Sequence, residues 1–152
     1  MKKTSLTLSI LLILFAGGVW GDEDMIPLKD YMIKHPLENK NDLFYVYARC
    51  SAINSKTYSL SQQSEKWEGV AEPSLEAKVR FFQEAMIVRE PVDRGVFKEN
   101  KSIVESVVKG MVDNYTTTSN NQAGGNFSFL MLQDSAICVK LLHSLPKPSW
   151  ED

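Results

Sequence analysis

Apolar side chains recur through most of the chain at three- and four-residue spacing, the signature of amphipathic helices. Leu43, Val46, Tyr47, Cys50, Ile53, Thr57, Tyr58 and Leu60 share one such face and predict a helix over 42–63, with Asn41 or Asp42 as its cap. Gly69, Pro73 and Ser74 then predict a loop. A second helix is predicted over 74–90, with Leu75, Val79, Phe82 and Met86 inward, a favourable Glu76/Arg80 pair outward, and Pro91 and Gly95 ending or kinking it. Ser102-Ile103-Val104-Glu105 is a capping-box sequence. It opens a third helix there or a turn earlier, carrying Ile103, Val107, Met111 and Tyr115. The valines at 104, 107 and 108 fit a helix face better than the strict alternation of a strand. Thr116 to Gly125 is polar, β-branched and glycine-bearing, so a loop is expected. A fourth helix over 126–145 is capped by Asn126 and stopped by Pro146 and Pro148; Phe127, Leu130, Ile137, Cys138, Leu141, Leu142 and Leu145 form its inner face.

Four amphipathic helices predict an all-α fold, a small four-helix bundle over 42–146 in up-down-up-down order. Residues 22–41, with Pro27 and Pro36, read as an N-terminal arm with a helical turn around 28–33, and 147–152 as a C-terminal tail. No internal repeat is seen.

The first 21 residues have a different character. Lys2 and Lys3 precede an 11-residue apolar run, Leu6 to Ala16, then small residues, and charge returns at Asp22-Glu23-Asp24. This is the layout of a secretory signal peptide, with cleavage expected after Gly21, or alternatively after Gly18. An uncleaved anchor is the competing reading, since Thr4 to Gly21 is uncharged. In that case alone would the protein meet a membrane. Cleavage after Gly21 leaves 131 residues with 15 basic and 19 acidic side chains, a net charge of −4 in place of −2. Export to the periplasm or the medium is therefore expected. The absence of a basic surplus argues against nucleic acid as a partner.

Export changes the meaning of the two cysteines. Cys50 and Cys138 read first as one disulfide in an oxidising compartment, with buried free thiols as the alternative. In an up-down bundle the first and fourth helices are neighbours, so a bridge there would clamp the two ends of the chain. Asp134 falls on the same apolar face as Cys138 and needs a donor if buried. Across an antiparallel pair Asn54 is its first candidate partner, and Arg49, beside Cys50, its second.

Templates for catalysis are missing from the sequence. His35 and His143 lack the spacing of a helical metal site and are expected to be solvated; no catalytic, metal or cofactor-binding residue is singled out. Gly124-Gly125 reads as a flexible turn. Asn100, Asn114 and Asn126 each open an N-glycosylation sequon, which would matter only in a eukaryotic secretory path, whereas the leader looks bacterial. Tyr45, Tyr47, Phe81 and Phe82 divide between the core and a candidate partner patch.

A leader, Arg49-Cys50 in the first long helix and Asp134-x-x-x-Cys138 in the last resemble a loose group of small, exported, all-α bacterial and marine-phage-type proteins. The resemblance implies an all-α fold and a disulfide, and brings no activity. Two functions are compatible with these observations. The first is a non-enzymatic exported helical protein, without a cofactor, acting on a protein partner. The second is a small-ligand binder or enzyme with its site around Asp134, Arg49 and Asn54.

Overall fold

The structure, a computed structural model, describes residues 25–89, 94–121 and 127–146. The expected leader and its cut, Pro91, Asn126, the Gly124-Gly125 turn and the tail lie outside those residues. Within them are five α-helices: α1 (Leu28–Lys34), α2 (Lys40–Ser61), α3 (Glu68–Arg89), α4 (Arg94–Asn121) and α5 (Phe129–Ser144). A 3-10 turn at Glu65–Trp67 leads into α3, and no strand occurs among the described residues.

Helix α2 is the centre of the fold. Its cap is Asn39, two residues before the expected position, whose side chain accepts from the Asn41 amide at 2.9 Å. Every residue from Ala48 to Ile53 is buried. A helix buried on all sides has no single inner stripe, so the predicted α2 face was only part of its buried surface. Helix α3 makes its main contact with α2, and α4 and α5 pack on it as well.

Helix α3 departs most from expectation. It starts at Glu68 and runs through Pro73, where a loop was predicted. Proline removes one intrahelical bond near the start. The preceding turn is anchored by Trp67, whose ring lies 5.5 Å from that of Phe127. The buried face is Ser74, Ala77, Phe81, Ala85 and Met86, while Leu75 and Val79 stand 39% and 40% exposed. The smaller residues win the interior because they let two backbones approach. The Ser51 hydroxyl of α2 reaches the Lys78 carbonyl of α3 at 3.1 Å.

Helix α4 begins at Arg94, two turns before the capping box, and continues to Asn121. Over 100–120, where its side chains are described, Val104, Val108, Met111, Tyr115 and Ser119 are buried, at helical spacing. The polar stretch expected to be loop is helical as far as Asn121. The hydroxyls of Thr116, Thr117, Thr118 and Ser119 each donate to the carbonyl four residues back, at 2.7–3.0 Å. Such bonding turns residues that usually compete with a helix into ones that follow it.

Ser128 caps α5, its side chain accepting from the Met131 amide at 3.1 Å. Met131, Asp134 and Cys138 are the fully buried residues of α5. The predicted inner residues Phe127, Leu130, Ile137, Leu141 and Leu142 are half-buried against the core, and Leu145 is buried at the helix end. Cys50 and Cys138 form a disulfide joining α2 to α5, with Cα atoms 5.4 Å apart. The arm contributes more than a turn: Leu28 and Tyr31 of α1 are core residues, and α1 packs on α5.

Candidate functional site

Arg49 and Asp134 are both fully buried, and they meet between α2 and α5 beside the disulfide. Asp134 lies one turn before Cys138, and Arg49 directly precedes Cys50, so the crosslink brings both polar side chains into one place. Arg49 Nε donates to Asp134 Oδ2 at 3.0 Å, and Arg49 Nη2 forms a close ion pair with the same oxygen. The Tyr115 hydroxyl of α4 donates to that oxygen too, at 2.5 Å. Oδ1 is left for the backbone amide of Leu28, at 2.6 Å.

That last bond accounts for α1. A helix of seven residues starts with unpaired amides, and Pro27, at its N-cap, supplies no side-chain acceptor. Asp134 supplies the acceptor from a helix 106 positions away, and places a negative charge at the positive end of α1. One carboxyl group thus ties α1, α2, α4 and α5 together.

A second tier of phenols surrounds the guanidinium. Arg49 Nε also lies 2.8 Å from the Tyr115 hydroxyl, and Nη1 donates to the Tyr45 hydroxyl at 3.1 Å. The Tyr45 and Tyr115 rings sit 5.7 and 5.8 Å from the guanidinium carbon, within cation–π range. The Tyr45 ring packs on Tyr31 at 4.3 Å, and the Tyr31 hydroxyl donates to Asp42 Oδ1 at 2.8 Å. His35 completes the chain at the surface. Its ring stacks on Tyr31 at 4.2 Å and its Nδ1 lies 3.4 Å from Asp42 Oδ1. His35, expected to be solvated, is 45% exposed and has two partners, because α1 turns it back over its own first turn.

Asn54, the first candidate partner, does not meet Asp134. Its amide donates to the Cys50 carbonyl of its own helix at 2.8 Å. The one-for-one register of an antiparallel pair yields here to side-chain reach and charge. A long guanidinium can span the turn between Cys138 and Asp134, and a buried carboxylate is stabilised far more by a cation than by an amide. Tyr45, Tyr115, Tyr31 and Asp42 were not singled out as members of the site. The signals available were the Tyr45/Arg49 spacing on α2 and the rule that a buried phenol finds a partner.

Burial pushes the Tyr115 phenol well above its ordinary value, and the Asp134 charge pushes the same way against the opposing pull of Arg49. Burial, then the hydrogen bond to Asp42, raise Tyr31 as well. Burial opposes the Arg49 charge, but the two phenols and Asp134 outweigh it and hold the guanidinium above its usual value. The phenols therefore set an alkaline limit. An unfolded tyrosine ionises near pH ~10, while folded Tyr115 and Tyr31 keep their protons beyond that. Their contribution is complete below the unfolded value and is lost as pH climbs from there toward the folded values. Phenolate absorbance should rise late for these side chains, and the urea midpoint should fall as the pH rises above about 10. Ionisation of Tyr31 and Tyr115 at the ordinary tyrosine value in the folded protein would contradict this assignment.

Among the described residues no group of three or more His, Cys, Asp or Glu side chains is placed to hold a metal ion. Comparison with protein-family models, curated proteins and solved structures finds no match for this chain.

Proposed function

We propose that this is an exported, disulfide-stapled helical protein that acts by binding another protein rather than by chemistry. The observation that carries the reading is the enclosure of Asp134. At zero exposure, both of its oxygens accept from the protein's own groups, namely Leu28, Arg49 and Tyr115. A carboxyl group in that position serves as an internal knot. It lacks the exposure that a ligand or acid/base role asks for.

In this reading α2 to α5 are the four long helices of an up-down-up-down bundle, and the leader delivers the chain to the periplasm or medium. The two short motifs that carry the resemblance to small exported all-α proteins meet in the fold: Arg49 pairs with Asp134, and Cys50 bonds to Cys138. An oxidising destination is where such a bond forms and persists. None of the described helices is long and apolar enough to cross a membrane.

Intact mass of the protein recovered from the periplasm or medium tests the first half. The expected species is residues 22–152, gaining about two mass units on reduction as two S–H groups replace the bridge. A full-length species with free thiols is the contrary result. Chemical cross-linking in the native compartment tests the second half, where a specific cross-linked protein species is expected.

A further inference from the structure

Ten of the sixteen residues of α5 are apolar, yet of these only Met131 and Cys138 are fully buried. Part of that surplus lies on the outward face. Phe129 is 67% exposed, Leu132 56% and Val139 55%, with Ala136 exposed between them. Positions 129, 132, 136 and 139 repeat in steps of three and four, and His143 adds the next step. This is the a/d seam of a heptad pattern, two heptads long, pointing away from the protein's own core. Large side chains flank a small one, so a second helix could come close at Ala136 and be gripped on both sides.

Along α5 itself the exposed charge is basic. Asp134 is the only acidic residue of α5, and it is buried against Arg49. The exposed ionisable groups of the helix are Lys140 and His143, although the whole chain carries a net charge of −2. A second copy of this chain brings no complement to Lys140 from its own α5, which carries no exposed acidic residue. An acidic helix does bring one.

We propose that the outward face of α5 docks an amphipathic helix of a partner protein, with apolar residues at heptad spacing and acidic residues along its flanks. This deepens the protein-binding reading and rests on it. The seam supplies apolar burial and the flanking Lys140 selects the sign of the partner's charge, which fixes orientation and rejects basic helices.

The probe is a labelled synthetic helical peptide of about four heptads, with leucine at a and d and glutamate at the flanking positions. A twin carries lysine in place of glutamate. Fluorescence anisotropy with the purified protein should show the acidic peptide binding at least about tenfold tighter than the basic one. Leu132→Asp with Val139→Asp should lose at least about tenfold while keeping the wild-type circular dichroism. Should that pair not fold, Ala136→Glu reports on the same seam from a small exposed position. Lys140→Glu should weaken or invert the preference between the peptides. Equal binding of the two peptides, or binding indifferent to these substitutions, overturns the proposal. So does a seam-dependent association with phosphatidylglycerol vesicles, or a seam-dependent dimer, in preference to the acidic peptide. Cross-linking in the native compartment separates this failure from that of the broader reading. A partner captured equally by the Leu132→Asp/Val139→Asp variant leaves protein binding intact and places it elsewhere, whereas capture by neither protein removes both.

Discussion

Asp134→Ala is expected to destabilise the fold by about 3–5 kcal/mol, the usual effect of removing one partner from a buried ion pair. The change leaves the Arg49 guanidinium charged and enclosed, and it takes away the acceptor for Tyr115 and for the Leu28 amide. Against a typical total of ~5–15 kcal/mol for a domain, that is a large share. Urea denaturation followed by tryptophan fluorescence and circular dichroism measures the global loss. Hydrogen exchange measures a local one: the amides of α1 should lose protection first, because their cap has gone. Asp134→Asn keeps the shape and part of the bonding, and a smaller loss of ~1–3 kcal/mol is expected. Replacing both partners, Arg49→Met with Asp134→Leu, should cost less than Asp134→Ala alone, since no charge is then left stranded. A double variant weaker than the single one would mean that the ion pair is not the knot described above. A ligand site would behave differently again, with Asp134→Asn losing a binding activity in a protein of unchanged stability.

Removing the disulfide is the second large effect. The bridge closes a separation of 88 residues, for which chain entropy alone suggests up to about 4.6 kcal/mol. Cys50→Ala with Cys138→Ala should therefore lower the urea midpoint substantially, and chemical reduction should do the same to the wild type. The two large effects are not independent. Cys50 adjoins Arg49, and Cys138 lies one turn from Asp134, so the crosslink holds the ion pair in register. Combining the cysteine variant with Asp134→Ala should thus cost less than the sum of the separate losses, by more than ~0.5 kcal/mol. Strict additivity would mean that bridge and ion pair act as separate fasteners.

The site was legible to differing depths. Asp134 could be found because a carboxyl group on an apolar helical face is costly unless partnered, and Cys50 and Cys138 because an even pair in a chain expected to be exported reads as a bridge. Arg49 was second choice behind Asn54, because register along two helices says which backbones are level and nothing about how far a side chain reaches. Tyr115 carries the apolar spacing of a core residue, so its hydroxyl was not counted. The amide of Leu28 could not be found at all. A backbone group has no sequence signature, and its need for a distant acceptor exists only once α1 is placed against α5.

Helix boundaries show the same division. The spacing of Ile103, Val107, Met111 and Tyr115 is local, and the helix it implies is there, although Val104 and Val108 are buried where Ile103 and Val107 were expected and those two are only half-buried. Pro73 and the Thr116–Asn121 stretch have local preferences against helix; packing overrode the first, and hydroxyl bonds to carbonyls four residues back, with burial of Ser119, overrode the second. Leu75 and Val79 were expected inward by hydrophobicity, yet Ser74, Ala77 and Ala85 hold that face, because closeness of two backbones is decided by the pair of helices and not by one.

By itself, then, the sequence determined what repeats locally or follows from single residues: an all-helical chain, two cysteines able to bridge, and a carboxyl group that must find a donor. The tertiary structure decided which helix is central, which donor that carboxyl group takes, and which apolar side chains stay outside. Those are properties of pairs of elements, set by side-chain reach, backbone proximity and charge, and no single stretch of the chain contains them.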